Sequence, residues 1–196
     1  MLLSTHLNLI LEGFALFWGA IWGSFLNVVI HRLPLEMSVV RPPSHCGHCE
    51  TPIRWYDNIP VLSYLVLRGR CRACKESYSP RYMLVELACA VMSLVIFRSV
   101  ADPIAHQMDL WFLFHWLWCL CFVLGLVAIT FIDLEHLYIP DVISLPLIAL
   151  ALVGAWVSPD LDAMENLWGI LGGAGFFFMI WGIGWLIFKR EAMGLG

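Results

Sequence analysis

The chain has 196 residues, of which 61% are hydrophobic and 13% charged, with 10 tryptophans. A soluble domain of this length is about half apolar and about a quarter charged, so the apolar excess here faces lipid. The formal net charge of -4, from 11 Lys and Arg against 15 Asp and Glu, excludes a nucleic-acid partner, which needs a surplus of cations for its phosphates. Disorder, collagen and a small disulfide-stapled secreted domain are excluded by the same composition.

Five nearly uncharged stretches reach the roughly 20 residues that cross a bilayer. The first, Leu9 to Ile30, starts too near the N-terminus, with too little positive charge ahead of it, for a cleaved signal peptide, and is expected to stay as a helix. The others run from Met83 to Val100, Leu110 to Ile132, Ile139 to Val157 and Leu167 to Phe188. Arg32, Arg41, Arg54, Arg68, Arg70, Arg72, Lys75 and Arg81 fall between the first two, and Lys189 and Arg190 follow the last. Residues 1–8, 101–109 and 158–166 carry no Lys or Arg. Short loops rich in cations stay in the cytoplasm, which places the N-terminus outside and the first loop, the turn around Asp133 to Asp141 and the C-terminus inside. Arg98, near an outer end, is expected to extend its stem to the interface. The expected fold is an all-α polytopic membrane protein of about five transmembrane helices. Its organisation is a first helix over 1–30, a small cytoplasmic domain over 31–81, and a membrane domain over 82–196.

The cytoplasmic segment carries Cys46-x2-Cys49 and Cys71-x2-Cys74 in the contexts HCGHC and RCRAC. Two such knuckles set four thiolates at the corners of a tetrahedron, the arrangement that suits Zn2+, and a segment this small needs a staple to fold. Two disulfides are the alternative, disfavoured on the reducing side of the membrane. A closed four-thiolate site is structural, with no open position for substrate. His45 and His48 read as surface residues beside the first knuckle. Cys89, Cys119 and Cys121, inside apolar spans, read as packing residues.

Carboxylates in or beside lipid are costly and therefore candidates for function. Asp141 follows Pro140 and opens a helix, where a carboxylate caps free N–H groups. Asp133 closes one, where the negative end of the helix dipole opposes an anion, and this placement points to function. Eight helical residues would separate the two carboxyls by about 12 Å along the axis, whereas carboxyls sharing a proton sit about 3 Å apart, so Asp133 needs another partner. Glu12, Glu86 and His115 are the remaining ionisable residues in the spans, each an interface anchor, a bond to a neighbouring helix or a chemical group. Gly19-x3-Gly23 in the first span and Gly169, Gly172, Gly173, Gly175, Gly182 and Gly184 in the fifth are expected to let helices approach closely.

The run Gly23-Ser24-Phe25-Leu26-Asn27-Val28-Val29-Ile30-His31-Arg32-Leu33-Pro34, followed by the paired CxxC module, resembles the type IV prepilin peptidase family. So do Arg81-Tyr82-Met83-Leu84-Val85-Glu86-Leu87, Thr130 to Asp133 with Ile139-Pro140-Asp141, and Arg190-Glu191-Ala192-Met193-Gly194-Leu195-Gly196. The resemblance spans the whole chain in order. It implies a bacterial inner-membrane aspartic endopeptidase that removes basic leader peptides from type IV prepilins or type II secretion pseudopilins. Cleavage follows a glycine at the cytoplasmic face. It also implies N-methylation of the new terminal residue, usually phenylalanine, with S-adenosyl-L-methionine as donor, although no glycine fingerprint for that cofactor follows a strand here. By resemblance Asp133 is the first catalytic aspartate, and the second stands in a GxGD motif, directly after the position of Gly196. Two other readings rest on the same residues: an inactive, shortened membrane protein that binds zinc and prepilin leaders, and a membrane thiol oxidoreductase using its CxxC pairs.

Overall fold

The computed structural model describes residues 2–100, 110–157 and 163–188. The expected outer loop 101–109, most of 158–166, and the motif Arg190 to Gly196 lie outside the described residues. Among the described residues six helices appear in the order α1 (Leu2–Arg32), α2 (Leu62–Leu67), α3 (Arg81–Val100), α4 (Leu110–His136), α5 (Asp141–Val157) and α6 (Ala163–Phe188). Short 3-10 turns occupy Leu33–Leu35 and Trp55–Asn58. The chain divides into two compact units, Met1–Pro140 and Asp141–Gly196.

In the first unit α1, α3 and α4 pack on one another through stripes repeating every fourth residue, the spacing that lines up one face of a helix. On α4 the stripe is Phe112, Trp116, Leu120, Leu124, Ala128 and Ile132, all buried. On α3 it is Val85, Cys89, Ser93 and Phe97, again buried. Apolar side chains also point away from the stripes: Ile10 is 67% exposed and Leu9 61%. A large outward apolar surface, with polar groups such as Ser93 turned inward among the packed side chains, is the arrangement of helices in lipid, where packing and interhelical hydrogen bonds replace the hydrophobic drive.

Those hydrogen bonds are present. The Ser93 hydroxyl donates to Ala15 O at 2.7 Å, the Trp116 indole N–H to Ser93 O at 3.2 Å, and Asn27 Nδ2 to Tyr82 O at 2.9 Å. At one end Arg98 pairs with Glu12 at 2.7 Å. The Arg98 guanidinium therefore reaches a carboxylate on α1. At the other end Arg81 pairs with Glu135, tying the start of α3 to the end of α4.

Among the described residues four helices are long and apolar enough to cross a membrane: His6–Leu35, Arg81–Val100, Phe112–His136 and Leu167–Ile187. The remaining expected span, Ile139 to Val157, forms a helix only from Asp141 and is 17 residues long with Pro146 inside it. Pro140 and the left-handed Leu137 at φ 55° keep the preceding residues out of the helix, because proline disfavours the helical conformation in the residue before it.

The two glycine groups behave differently. A Cβ on Gly23 would lie 2.7 Å from Glu86 Cα, and one on Gly19 2.5 Å from Cys89 O, so these two positions set the approach of α1 to α3. On α6, Gly169, Gly172, Gly173, Gly175 and Gly182 meet nothing within 4 Å; the expected close approach is not made by them among the described residues. Gly23→Ala is therefore expected to destabilise the protein by about 1–3 kcal/mol through overpacking. Gly173→Ala should stay within about 0.5 kcal/mol. Thermal unfolding of the two variants in detergent checks the contrast.

Candidate functional site

Each Cys-x2-Cys hairpin turns by the same local bonding. Cys46 N–H donates to Thr51 O at 3.0 Å and Glu50 N–H to Cys46 O at 2.9 Å; Cys71 N–H donates to Glu76 O at 2.8 Å and Lys75 N–H to Cys71 O at 3.0 Å. Glu50 and Lys75 both take left-handed backbone conformations, and single bridges, His45 with Pro52 and Arg70 with Ser77, close the two loops. The two knuckles are thus copies of one turn, a local repeat that the differing side chains conceal in the sequence.

Facing each other, the knuckles bring the sulfurs of Cys46, Cys49, Cys71 and Cys74 within 4.8 Å of one another. The Cys46–Cys74 and Cys49–Cys71 separations are 3.8 and 3.9 Å. A tetrahedron of thiolates with zinc–sulfur bonds of about 2.3 Å has edges of about 3.8 Å, whereas a disulfide brings its sulfurs to about 2.05 Å. All four cysteines are free. The donor set therefore fits a metal ion, and the disulfide alternative does not fit.

The electrostatics agree. The Thr51 hydroxyl and backbone N–H pull the Cys49 thiol down to about 6, and the N–H groups of Cys74 and Ala73 lower Cys71. Cys74, against the pull of the Glu76 N–H, is pushed up to about 12 by desolvation and the three neighbouring sulfurs. Four sulfurs this close resist ionising together, and a divalent cation among them removes that conflict because a coordinated thiol is deprotonated outright. His45 and His48 are exposed beside the first knuckle and stand outside the cluster.

Side chains hold the module together and tie it to the helices. Asp57, whose side chain is 8% exposed, takes a two-pronged contact from Arg72, with Nε–Oδ2 at 2.8 Å and Nη2–Oδ1 at 2.6 Å, and this guanidinium holds the carboxyl below its usual range. Tyr64, Tyr78 and Tyr82 form an edge-to-face ladder with centroids 5.3 and 6.2 Å apart, linking α2 and the second knuckle to α3. Glu86, buried on α3, accepts the Val61 N–H at 2.7 Å. It is thus a bond to the module, one of the uses anticipated for it.

Asp133 is exposed in the last turn of α4, and its carbonyl is capped by the Leu137 N–H at 2.8 Å. The Arg81–Glu135 pair fixes this helix end two residues further on. Asp141 opens α5 in the other unit. His115 is half-buried on α4; of the span cysteines, Cys89 is buried, Cys119 half-buried and Cys121 exposed on the apolar surface of α4. Asn27, 4% exposed with its Oδ1 unpartnered, escaped sequence reasoning as a site residue; a polar side chain in an apolar span is the signal that marks it.

Residues 17–100 match the Bacterial Peptidase A24 N-terminal domain, and residues 119–196 match the Type IV leader peptidase family. A prepilin leader peptidase/N-methyltransferase of Stutzerimonas stutzeri is 35% identical over 208 residues, covering 93% of this chain and 68% of that relative. The chain belongs to the type IV leader peptidase family. A prepilin leader peptidase/N-methyltransferase of Myxococcus xanthus is 39% identical over 183 residues, covering 91% of the chain and 50% of the relative. The type 4 prepilin-like proteins leader peptide-processing enzyme of Escherichia coli is 34% identical over 197 residues, covering 91% and 70%. The chain thus spans between half and about 70% of the length of these three members of the leader peptidase family. No solved structure matches it. With its four long apolar helices, it is a multi-pass membrane protein.

Proposed function

We propose that this protein removes the basic leader from type IV prepilins or type II secretion pseudopilins after a glycine and N-methylates the residue so exposed. The observation that carries this reading is the match along both parts of the chain to relatives named for both activities. The protein works in the bacterial inner membrane, with its N-terminus outside and the four-cysteine module in the cytoplasm, where the concentration of Lys and Arg belongs. Zn2+ is the metal held by Cys46, Cys49, Cys71 and Cys74, and S-adenosyl-L-methionine is the methyl donor.

Asp133 supplies one carboxyl of an aspartic pair, and the family pattern sets the other after a Gly-x-Gly such as Gly194-Leu195-Gly196. In such a pair one carboxylate takes a proton from the attacking water while the partner acid protonates the peptide carbonyl oxygen, and a proton then passes to the departing amine. The end of α4 is suited to this task because the Arg81–Glu135 pair and the Leu137 cap hold the helix terminus while leaving the Asp133 side chain exposed. Metal at the cysteines orders the module and takes no part in proton transfer.

Incubating the protein, in a form that carries the aspartate of the Gly-x-Gly-Asp motif, in membranes with a prepilin and S-adenosyl-L-methionine tests both activities by mass spectrometry of the product. A leaderless pilin carrying one added methyl on its terminal nitrogen is the expected outcome. A precursor left whole overturns the peptidase reading, and a cut, unmethylated product overturns the transferase reading alone.

A further inference from the structure

A cleft of about 870 Å³ opens where the four-cysteine module meets α1 and α3, a volume in the range that takes small molecules and chain ends. Ser24, Asn27 and Glu86 line it from the membrane helices, and Tyr64, Tyr78 and Asp57 from the module. Two observations give the helix wall a chemical character. Asn27 is 4% exposed and donates through Nδ2 to Tyr82 O, which leaves its Oδ1 buried without a hydrogen-bond partner. Orphaned buried acceptors of this kind are rare in folded proteins. The second is Glu86, 9% exposed, whose carboxylate receives the neutral Val61 N–H and Ser24 hydroxyl. Among the described residues no cation forms an ion pair with it.

The three arginines that border the cleft, Arg32, Arg54 and Arg72, are engaged elsewhere, Arg54 with the Tyr56 hydroxyl. Arg72 grips Asp57, and Arg32 donates to Ser38 O at 3.0 Å. The helix wall therefore offers an unpartnered, buried amide oxygen and a carboxylate with spare lone pairs, close to tyrosine rings. That set receives a nitrogen bearing N–H bonds and positive charge.

We infer that this cleft holds the free amino terminus of the cleaved substrate, with Asn27 Oδ1 and the Glu86 carboxylate as its acceptors. The inference rests on the methyl-transfer reading above and gives that reaction a place. The bound ammonium first gives one proton to Glu86 or to water, and the two acceptors on its remaining N–H bonds fix the direction of the lone pair so freed. The nitrogen gives that pair to the methyl carbon of a sulfonium donor, the carbon–sulfur bond breaks with its electrons left on sulfur, and the product leaves as the methylated ammonium. The first turn of α3 joins the cleft to the peptidase residue: Asn27 binds Tyr82 O, and the adjacent Arg81 pairs with Glu135, two positions beyond Asp133. An amine made at the end of α4 thus arises beside the helix that borders its second site.

The test is equilibrium binding of a peptide bearing a mature pilin N-terminus to the full chain in lipid nanodiscs, compared with the same peptide acetylated. The free amine should bind the wild-type protein at least about tenfold more tightly, the scale of hydrogen bonds to a charged group. Glu86→Gln, which keeps an acceptor for Val61, and Asn27→Leu should lose most of that preference; Asn27→Asp should retain it. Metal content and melting temperature report whether each variant is folded. If Glu86→Gln and Asn27→Leu both fail to fold, the two peptides on the wild-type protein and on Asn27→Asp decide the matter. Equal binding of both peptides by the wild-type protein overturns the inference, as does a preference that survives in folded Glu86→Gln or Asn27→Leu. A wild-type protein that prefers the free amine but yields no N-methyl product leaves the amine site standing and overturns the transferase reading instead.

Discussion

Asp133→Asn is expected to lower the rate of leader cleavage by at least about a thousandfold, the scale of losing a general acid–base group that has no substitute. The amide matches the carboxylate in shape, so the Leu137 N–H bond to the residue 133 carbonyl and the neighbouring Arg81–Glu135 pair remain. What disappears is the capacity to accept and return a proton. Because the substitution removes a chemical step without touching packing, zinc content and the thermal midpoint should match the wild-type protein. Cleavage is read as the ratio of mature to precursor pilin over time in membranes. Glu135→Gln serves as the comparison: it breaks a partly exposed ion pair, and pairs of that kind are worth about 1 kcal/mol or less, so its rate should fall several-fold at most. An Asp133→Asn protein that processes its substrate within tenfold of the wild-type rate would remove this carboxylate from the mechanism.

The features legible in the sequence were those that physics imposes locally. Lipid demands about 20 apolar residues in a row, so the four long helices stand out, and a Cys-x2-Cys turn brings two sulfurs together whatever the rest of the chain does. Features that depend on helix register were hidden. Gly19 and Gly23 resemble the glycines of α6 in composition, yet among the described residues Gly19 and Gly23 face a neighbouring backbone while Gly169, Gly172, Gly173, Gly175 and Gly182 do not. Arg98 and Glu12 lie on different helices and meet only once α1 and α3 are aligned. Asn27 shows the same limit in its sharpest form: its side-chain nitrogen finds a partner on α3 while its oxygen finds none, and nothing within α1 itself distinguishes the two. Asp133 could be singled out from its position at a helix end, but its tether through Glu135 to Arg81 needs the packed helices.

Removing the metal is expected to unfold the module while leaving the helices packed. No apolar side chain from residue 33 to residue 80 is buried, and the segment's regular structure amounts to two 3-10 turns, the six-residue α2 and two isolated bridges. Against the backbone entropy of ordering such a segment, roughly 1–2 kcal/mol per residue, the Asp57–Arg72 contact and the tyrosine ladder are small. A structural zinc site contributes on the order of 10–16 kcal/mol in isolated fingers, far more than either of those contacts. Purified protein should therefore hold one zinc per chain. A strong chelator, or Cys71→Ser, should release the metal and accelerate tryptic cutting at Arg54, Arg68, Arg70, Arg72 and Lys75 by at least about a hundredfold. Cys121→Ser, an exposed position on α4, should change neither readout. The interior of α1, α3 and α4 contains none of the four ligands, so helical circular dichroism should persist when the module opens. A protein isolated without metal, with Cys46 and Cys49 joined in a reducible disulfide and with tryptic cutting indifferent to the chelator, would replace the structural zinc with a redox centre and revive the oxidoreductase reading.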